Sequence, residues 1–193
     1  MAAAAPAANA AGVIVDGGFE AAGPLVDDGN GVGKWNPFAQ APATFAISTT
    51  SANSGVQSLE LAMQGGANTF AGVFQDVSVL PGEEITFAGF HAALNNAPSG
   101  IEVRIEWQGA GVEVARTGNS VFSPGSAYEI FSLTATAPAN ADTARVVYAL
   151  QSFGGSATSV VNVDDVTVTG IPEPTSSLLA ALGALGLVMR RRR

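Results

Sequence analysis

Hydrophobic and polar residues alternate with a period of two along most of the chain between residues 44 and 169. In "GIEVRIEWQG", Ile101, Val103 and Ile105 occupy the same parity as Trp107, and charged or amide side chains occupy the other. This alternation is typical of a strand with one face in the core and one in water, so it predicts a buried Trp107. Turn residues 109–111 follow, which predicts a hairpin into "VEVAR".

The same pattern predicts seven further strands, and no helical periodicity precedes the last 23 residues. These strands are 44–48, 56–63, 70–79, 85–94, 128–135, 144–151 and 160–169. Short strands separated by glycine, proline and asparagine are typical of antiparallel sheets. The sequence therefore predicts an all-β fold, a two-sheet antiparallel β-sandwich, for residues 12–170.

The last predicted strand contains an irregularity. In "VNVDDVTV", residues 161–168, the first two valines lie on one parity and the last two on the other. A uniform strand cannot bury all four valines, so the pattern predicts a bulge or kink at Asp164 and Asp165.

The C-terminal segment "IPEPTSSLLAALGALGLVMRRRR", residues 171–193, differs from the rest of the chain. Pro172 and Pro174, with Glu173 between them, hold the backbone extended, so a helix begins only after them. The uncharged run 176–189 predicts a short hydrophobic helix of about 21 Å, less than the ~30 Å core of a bilayer. The four arginines that follow are expected to stay on the cytoplasmic side. They are Arg190, Arg191, Arg192 and Arg193.

Charge and composition narrow the class of protein. Residues 1–170 carry four basic and 15 acidic side chains, a net charge of −11, which repels phosphate backbones. We therefore expect no nucleic-acid partner. The chain has no cysteine, so disulfides and thiol chemistry are excluded. Residues 1–11 are alanine-rich and contain A-N-A, which is typical of the remnant of a signal peptide that starts upstream; a disordered alanine-rich tail is the alternative.

The order Pro-Glu-Pro, short Leu/Ala/Gly helix and arginine cluster resembles the PEP-CTERM sorting signal of exopolysaccharide-producing Gram-negative bacteria. The resemblance implies that 171–193 is a transient signal, cut by an exosortase in the inner membrane. It also implies that the body of the protein reaches the cell surface or extracellular matrix. An ordinary tail anchor, with a transmembrane helix, is the alternative reading of these residues.

Several segments in order resemble the jelly-roll fold of carbohydrate-binding modules: "DGGFE", "SGVQSLEL", "FQDVSVLPGEEITFAGFHA", "APANADTARVVYAL" and "VNVDDVTV". The resemblance implies a structural Ca²⁺. Its ligands here would be Glu20, the Gly18 carbonyl, and Asp164 or Asp165, with carbonyls from residues 51–55. The alternative is that these carboxylates are solvated or accept local N–H groups.

Sugar-binding modules usually present exposed aromatic rings, and the candidates here are Trp35, Tyr128 and Tyr148. Aromatic residues form only 7% of the chain, which weakens the expectation of a stacking platform. Trp35 lies in a loop-like stretch, although the resemblance also allows it a packing role.

No catalytic constellation is evident. His91 is the only histidine and has no nucleophile or second histidine near it in sequence. Glu102 and Glu106 are about 13 Å apart along their strand, too far for two-carboxylate hydrolysis at roughly 5 to 9.5 Å. We therefore predict a non-catalytic, exported surface or matrix protein that binds or organises exopolysaccharide. The alternatives are a purely structural or adhesive biofilm component and a small glycan hydrolase.

Overall fold

A computed structural model describes residues 13–21, 24–95, 100–152 and 158–171. Within these residues the chain forms eleven β-strands and no helix. The strands are β1 (Asn36–Gln40), β2 (Thr44–Ser48), β3 (Ser58–Gln64), β4 (Phe70–Ser78), β5 (Glu84–Asn95), β6 (Ile101–Gly109), β7 (Val112–Arg116), β8 (Ser120–Phe122), β9 (Glu129–Thr136), β10 (Thr143–Gln151) and β11 (Thr158–Ile171).

The strands form two sheets. The first has the order β1-β4-β10-β6-β7, with β8 also pairing with β6, and the second has the order β2-β3-β11-β5-β9. All pairings between these strands are antiparallel. The predicted antiparallel β-sandwich is therefore confirmed. The predicted C-terminal helix lies outside the described residues, and no helix among the described residues is long and apolar enough to cross a membrane.

The alternation in β6 has the predicted effect on packing. Ile101, Val103 and Ile105 are fully buried, and Trp107 is 3% exposed, so the predicted core position of Trp107 is confirmed. The core between the sheets also encloses large rings from the facing strands, among them Phe87 and Phe131, whose centroids lie 5.5 Å apart in an edge-on contact. Burial of this apolar surface is the main force that holds the two sheets together.

The predicted irregularity in β11 is also confirmed. The register between β11 and β5 shifts between Asp164 and Thr167, and the backbone of Asp165 has a φ of 48°, in the left-handed region. The four valines of residues 161–168 are all buried. The bulge therefore does what the parity of the sequence required, because it lets both valine pairs face the core.

Two strands were not predicted. β1 contains Pro37, which has no N–H for a sheet ladder, and it forms the edge of the first sheet, where a proline is tolerated. β8 has only three residues, too few to show a period. The other predicted strands agree with the structure to within two residues at each end.

Residues 13–21 join the two sheets. The side-chain amide of Gln75 on β4 accepts the N–H of Val15 at 2.7 Å and donates to its carbonyl at 3.0 Å. Gly17 accepts the N–H of Val166 on β11 at 2.8 Å. The segment is thereby held next to the bulge, with Glu20 at its end.

Candidate functional site

The outer face of the first sheet, the side that points away from the core, has an unusual composition. It is formed by the alternate residues of β1, β4, β10 and β6 that do not face the second sheet. All three arginines of residues 1–170 lie on or beside this face: Arg104 on β6, Arg116 on β7 and Arg145 on β10. In a chain with so few cations, this placement concentrates hydrogen-bond donors on one surface.

On β6, one arginine binds two carboxylates. Arg104 donates from Nη1 to Glu102 Oε1 at 2.5 Å and from Nε to Glu106 Oε1 at 2.7 Å. Gln151, at the end of β10, donates from Nε2 to the other oxygen of Glu102. The side chains of Glu102 and Glu106 are 5% and 11% exposed, so this network is largely removed from water although it faces outward.

This network corrects the distance expected from the sequence. Because Glu102 and Glu106 both bind the guanidinium of Arg104, their bonded oxygens lie within about 8 Å of each other. The separation along the strand therefore does not exclude two-carboxylate chemistry. Both carboxylates are paired with Arg104, and Arg116 Nη1 lies 3.9 Å from Glu106 Oε1.

A second arginine is fixed on the neighbouring strands. Arg145 makes a two-bond contact with Asp76 on β4, with distances of 2.8 and 2.9 Å. Its guanidinium carbon lies 3.9 Å from the centroid of the Phe74 ring, so the cation also stacks on an aromatic face. The pKa of the Arg145 guanidinium is raised, chiefly by the hydrogen bond to Asp76.

Three phenylalanine rings continue the face toward the edge strand. Phe38 on β1 contacts two rings of β4: its centroid lies 6.0 Å from that of Phe70 and 6.4 Å from that of Phe74. Phe38 and Phe70 are half-buried, whereas Phe74 is buried. We call Phe38, Phe70 and Phe74 the phenylalanine platform. The low aromatic content of the chain had weakened the expectation of a stacking platform, and these three rings were not among its candidates.

The structure places the three predicted ligand-binding aromatics elsewhere. Tyr148 is 1% exposed and its ring faces the core, so the prediction of a ligand role is wrong for Tyr148. Trp35 is 3% exposed, stacks on Phe19 at 5.3 Å and donates from Nε1 to the Asp16 carbonyl. Trp35 therefore has the packing role rather than an exposed ring.

Tyr128 is half-buried and directly precedes β9, the edge strand of the second sheet. Its hydroxyl donates to the Ser51 carbonyl at 3.2 Å, and the same carbonyl accepts from Ser58 Oγ at 2.6 Å. Tyr128 is thereby held against the loop 51–57, which leads into β3 of the second sheet. This position separates it from the arginines of the first sheet.

The predicted metal ligands converge at the β11 bulge. Glu20 Oε1 accepts the N–H groups of Val56 and Gln57 at 2.7 and 2.9 Å. Asp164 Oδ2 accepts two further N–H groups from the same loop, those of residues 53 and 54, at 2.7 and 3.1 Å. Asp165 accepts from the side chains of the same two residues, both at 2.7 Å. We call Glu20, Asp164 and Asp165 the carboxylate cluster.

Two of these carboxylates lie near Gly18. A Cβ atom added to Gly18 would lie 3.8 Å from an oxygen of Asp164 and 3.8 Å from an oxygen of Asp165. Burial raises the pKa of the fully buried Asp164 carboxyl, and hydrogen bonds from backbone N–H groups partly oppose this effect. Among the described residues, no group of three His, Cys, Asp or Glu side chains is arranged to hold a metal ion.

His91 is a core residue. Its Nδ1 lies 2.8 Å from the Tyr148 hydroxyl, and burial lowers the pKa of the imidazole to about 4. Nε2 is buried without a hydrogen-bond partner among the described residues, and it lies 4.0 Å from the half-exposed carboxylate of Glu129. The ring packs against neighbouring aromatic side chains, including Phe131, rather than lining a cleft.

Sequence reasoning missed the residues that make the outer face of the first sheet distinctive. A signal for them was present, because Phe70, Gly72 and Phe74 share one parity of β4, as Arg145 and Gln151 do on β10. What was missing was the order of the strands, which brings these positions next to β6 and β1.

Residues 170–193 match the family model described as a PEP-CTERM protein-sorting motif. The motif indicates an exported protein that is sorted through the membrane. Its first two residues, Gly170 and Ile171, belong to β11 and pair with β5. The sorting residues predicted from the sequence, at 172–174 and 190–193, lie outside the described residues.

The fold is similar to that of solved carbohydrate-binding modules. With CBM4 the TM-score is 0.59 at 19% identity, over 82% of this chain and 99% of that chain. With the CBM22-1 xylan-binding domain of Xyn10C from Paenibacillus barcinonensis it is 0.51 at 14% identity, over 87% and 98%. At these identities the similarity is one of fold, the jelly roll.

A third similar structure is the enzymatically active domain of tailspike protein 4 from bacteriophage CBA120, with a TM-score of 0.56 at 15% identity. The similarity covers 72% of this chain, but the chain spans only 19% of the tailspike chain. No curated protein sequence matches the chain at a significant level.

Proposed function

We propose that the chain is a non-catalytic surface protein that binds exopolysaccharide through the outer face of the first sheet. The observation that carries the proposal is the concentration of all three arginines of residues 1–170 on or beside one sheet face, next to the phenylalanine platform. The similarity in fold to carbohydrate-binding modules and the sorting motif support it.

The chemistry of this face suits a sugar. Sugar hydroxyls both donate and accept hydrogen bonds. The face offers the guanidinium groups of Arg116 and Arg145, whose side chains are 51% and 25% exposed, beside the largely buried carboxylates of Glu102 and Glu106. Because Arg104 and Gln151 already hold these carboxylates in place, their orientation is set before a ligand arrives. Fixed polar groups beside apolar rings are the usual composition of a small-molecule site.

The proposed absence of catalysis rests on the same network. A glycosidase of the two-carboxylate type needs one carboxyl that gives up a proton and one that is ionised. Here both Glu102 and Glu106 accept hydrogen bonds from Arg104, and Arg116 Nη1 lies 3.9 Å from Glu106 Oε1, so neither carboxyl is free of a cationic partner. Incubation of the protein with a bound polysaccharide should therefore release no new reducing ends, and a steady release would contradict the proposal.

Binding is tested with the full chain on an array of bacterial and plant polysaccharides. We expect binding to at least one glycan, and the substitution Glu106→Gln should weaken it about tenfold or more, because hydrogen bonds to a charged group contribute about 1.5–3 kcal/mol. The matched control is Glu60→Gln, a half-buried acid on β3 of the second sheet, which should bind like the unsubstituted protein. Binding to no glycan would overturn the proposal and favour the structural or adhesive alternative.

We also propose a structural Ca²⁺ at the bulge, held by Glu20, by Asp164 or Asp165, and by the Gly18 carbonyl. Two observations support the proposal: two carboxylates lie near the space beside Gly18, and among the described residues only neutral groups hydrogen-bond to the cluster. When bound, the ion would supply positive charge next to the buried Asp164. Ligands from the opening segment and from β11 would then share one ion, which would link these two parts of the chain.

Thermal unfolding with calcium and with a chelator tests this site. A cation bound only by the folded state adds RT ln(1 + [L]/Kd) to the free energy of unfolding and thereby raises the melting temperature. Glu20→Gln should reduce the calcium response, whereas Glu84→Gln, at the start of β5, should leave it intact. Identical midpoints for the metal-free protein with and without millimolar calcium would exclude the ion.

For delivery, we propose that an exosortase in the inner membrane of a Gram-negative bacterium cuts near Pro172–Pro174 and releases the body to the cell surface or matrix. The sorting motif supports this route. Replacement of Arg190–Arg193 by alanine should keep the protein uncut in cell fractions while its unfolding transition stays the same. An unchanged, processed surface protein would contradict the proposed role of the arginines.

A further inference from the structure

We infer that Phe38 is the ring on which a sugar residue of the glycan stacks, and that Gly72 is the positioning residue that leaves room for this ring against the sheet. The inference rests on the function proposed above. Phe38 on β1 lies directly opposite Gly72 on β4. A Cβ atom at Gly72 would lie 2.5 Å from Phe38 Cζ, closer than side-chain carbons approach. The tip of the ring therefore rests on the Cα of Gly72.

Gly72 has no conformational reason to be a glycine. Its backbone is not among those with positive φ, so any residue could adopt its geometry. A glycine inside a strand weakens the strand by roughly 0.5–1 kcal/mol relative to alanine. What the missing side chain provides is space, on one side for the Phe38 ring and on the other for the close approach of β10, whose Tyr148 carbonyl would lie 2.6 Å from the added Cβ.

The neighbouring side chains hold Phe38 in this orientation. Phe70 and Phe74 lie two residues away from Gly72 in either direction along β4 and contact the ring on both flanks. Phe74 is in turn fixed by the guanidinium of Arg145, which Asp76 binds through two hydrogen bonds. A ring clamped in this way loses little conformational entropy when a ligand binds.

Phe38 lies on the outer face of the first sheet, in the same row as Gly72, and is half-buried rather than enclosed. An aromatic ring of this kind fits the C–H face of a pyranose. Across the sheet, the register places Gly72 on β4 and Ala149 on β10 between Phe38 and Glu102, so Glu102 lies three strands away from the ring. The pyranose that stacks on Phe38 is expected to be uncharged, because phenylalanine has no polar edge to pair with a carboxylate.

The test measures affinity of the full chain for a panel of soluble xylan, soluble β-1,4-galactan and purified bacterial exopolysaccharide. Phe38→Leu, which keeps apolar volume but removes the ring, should weaken binding about 5- to 10-fold. Phe38→Tyr restores the ring and should bind within about twofold of the unsubstituted protein. The matched control is Phe45→Leu, a half-buried phenylalanine on edge strand β2 of the second sheet, whose affinity should not change.

The outcomes separate the inference from the proposed function. If the unsubstituted chain binds no polysaccharide of the panel, the proposed function fails and the inference fails with it. If it binds and Phe38→Leu binds equally well, only the inference is overturned. Gly72→Ala adds a second measurement: it should weaken binding when Phe38 is present and have no further effect on affinity in the Phe38→Leu background, as judged on folded protein. Equal effects in both backgrounds would refute the positioning role.

Discussion

Acidification from about pH 7.5 to about pH 4.5 is expected to lower the free energy of unfolding by about 2.5 kcal/mol through His91 alone. The reason is that the imidazole is fully buried and burial lowers its pKa to about 4 from an ordinary 6.5. The hydroxyl of Tyr148, 2.8 Å from Nδ1, stays neutral over this range, since burial raises the pKa of the phenol well above 10.

The sign follows from proton binding. The unfolded chain protonates His91 as the pH falls through 6.5, whereas the folded protein holds the ring neutral until about pH 4. Between these two values the unfolded state binds more protons, so stability falls as the pH falls. The full shift corresponds to about 3 kcal/mol, most of which is lost by about pH 4.5. Glu129, whose carboxylate lies 4.0 Å from Nε2, is the acid that faces the ring from β9.

The assay is urea unfolding of the full chain at several pH values, compared with His91→Gln. Glutamine can still hydrogen-bond to the Tyr148 hydroxyl but does not titrate, so carboxylates common to both proteins cancel in the comparison of pH slopes. The substituted protein is expected to be less stable at neutral pH but to lose about 2.5 kcal/mol less on acidification. Glu129→Gln should leave the slope largely unchanged. Equal pH slopes for the unsubstituted and His91→Gln proteins would refute the reasoning.

Three further results are expected. Asp164→Asn places an amide nitrogen against the N–H groups of Asn53 and Ser54, so it should lower the free energy of unfolding by about 1–3 kcal/mol in urea titrations; an unchanged midpoint would show that these bonds add nothing. Gly55→Ala places a side chain on a backbone with a φ of 62° and puts its Cβ 2.1 Å from Glu20 Oε1. It should therefore lower the free energy of unfolding by about 1–3 kcal/mol and speed amide exchange in the opening segment. Normal exchange there would argue against the contact. Neutral polysaccharides should bind more tightly than uronic-acid polymers at low salt, because residues 1–170 carry a net charge of −11, and the reverse preference would contradict the charge argument.

The sequence by itself determined the strands and the one irregularity among them. Period-two alternation is a local property, since successive side chains of a strand point to opposite faces whatever the strand pairs with. It therefore identified β6 and its buried Trp107, and the change of parity in residues 161–168 identified the bulge at Asp164 and Asp165. The sorting motif is a contiguous segment, so it too was readable without a fold.

Only the tertiary structure decided which residues meet across strands. Glu20 and Asp164 are far apart in the chain, and their convergence on the loop 53–57 depends on how the opening segment crosses to β11. The same holds for Tyr148, whose position on the core side of β10 follows from which face of that strand the second sheet covers. Alternation predicts that one face of a strand is buried, but it does not identify the strands that cover that face.

The outer face of the first sheet shows the physical reason most clearly. Phe38 lies over Gly72 because the edge strand β1 pairs with β4 in one register, and Arg145 reaches Asp76 because β10 pairs with β4 in another. Register depends on the burial of all strands together, and a shift of one residue would move each of these side chains to the opposite face. The sequence determined which side chains were available, and strand order and register decided which of them form a site.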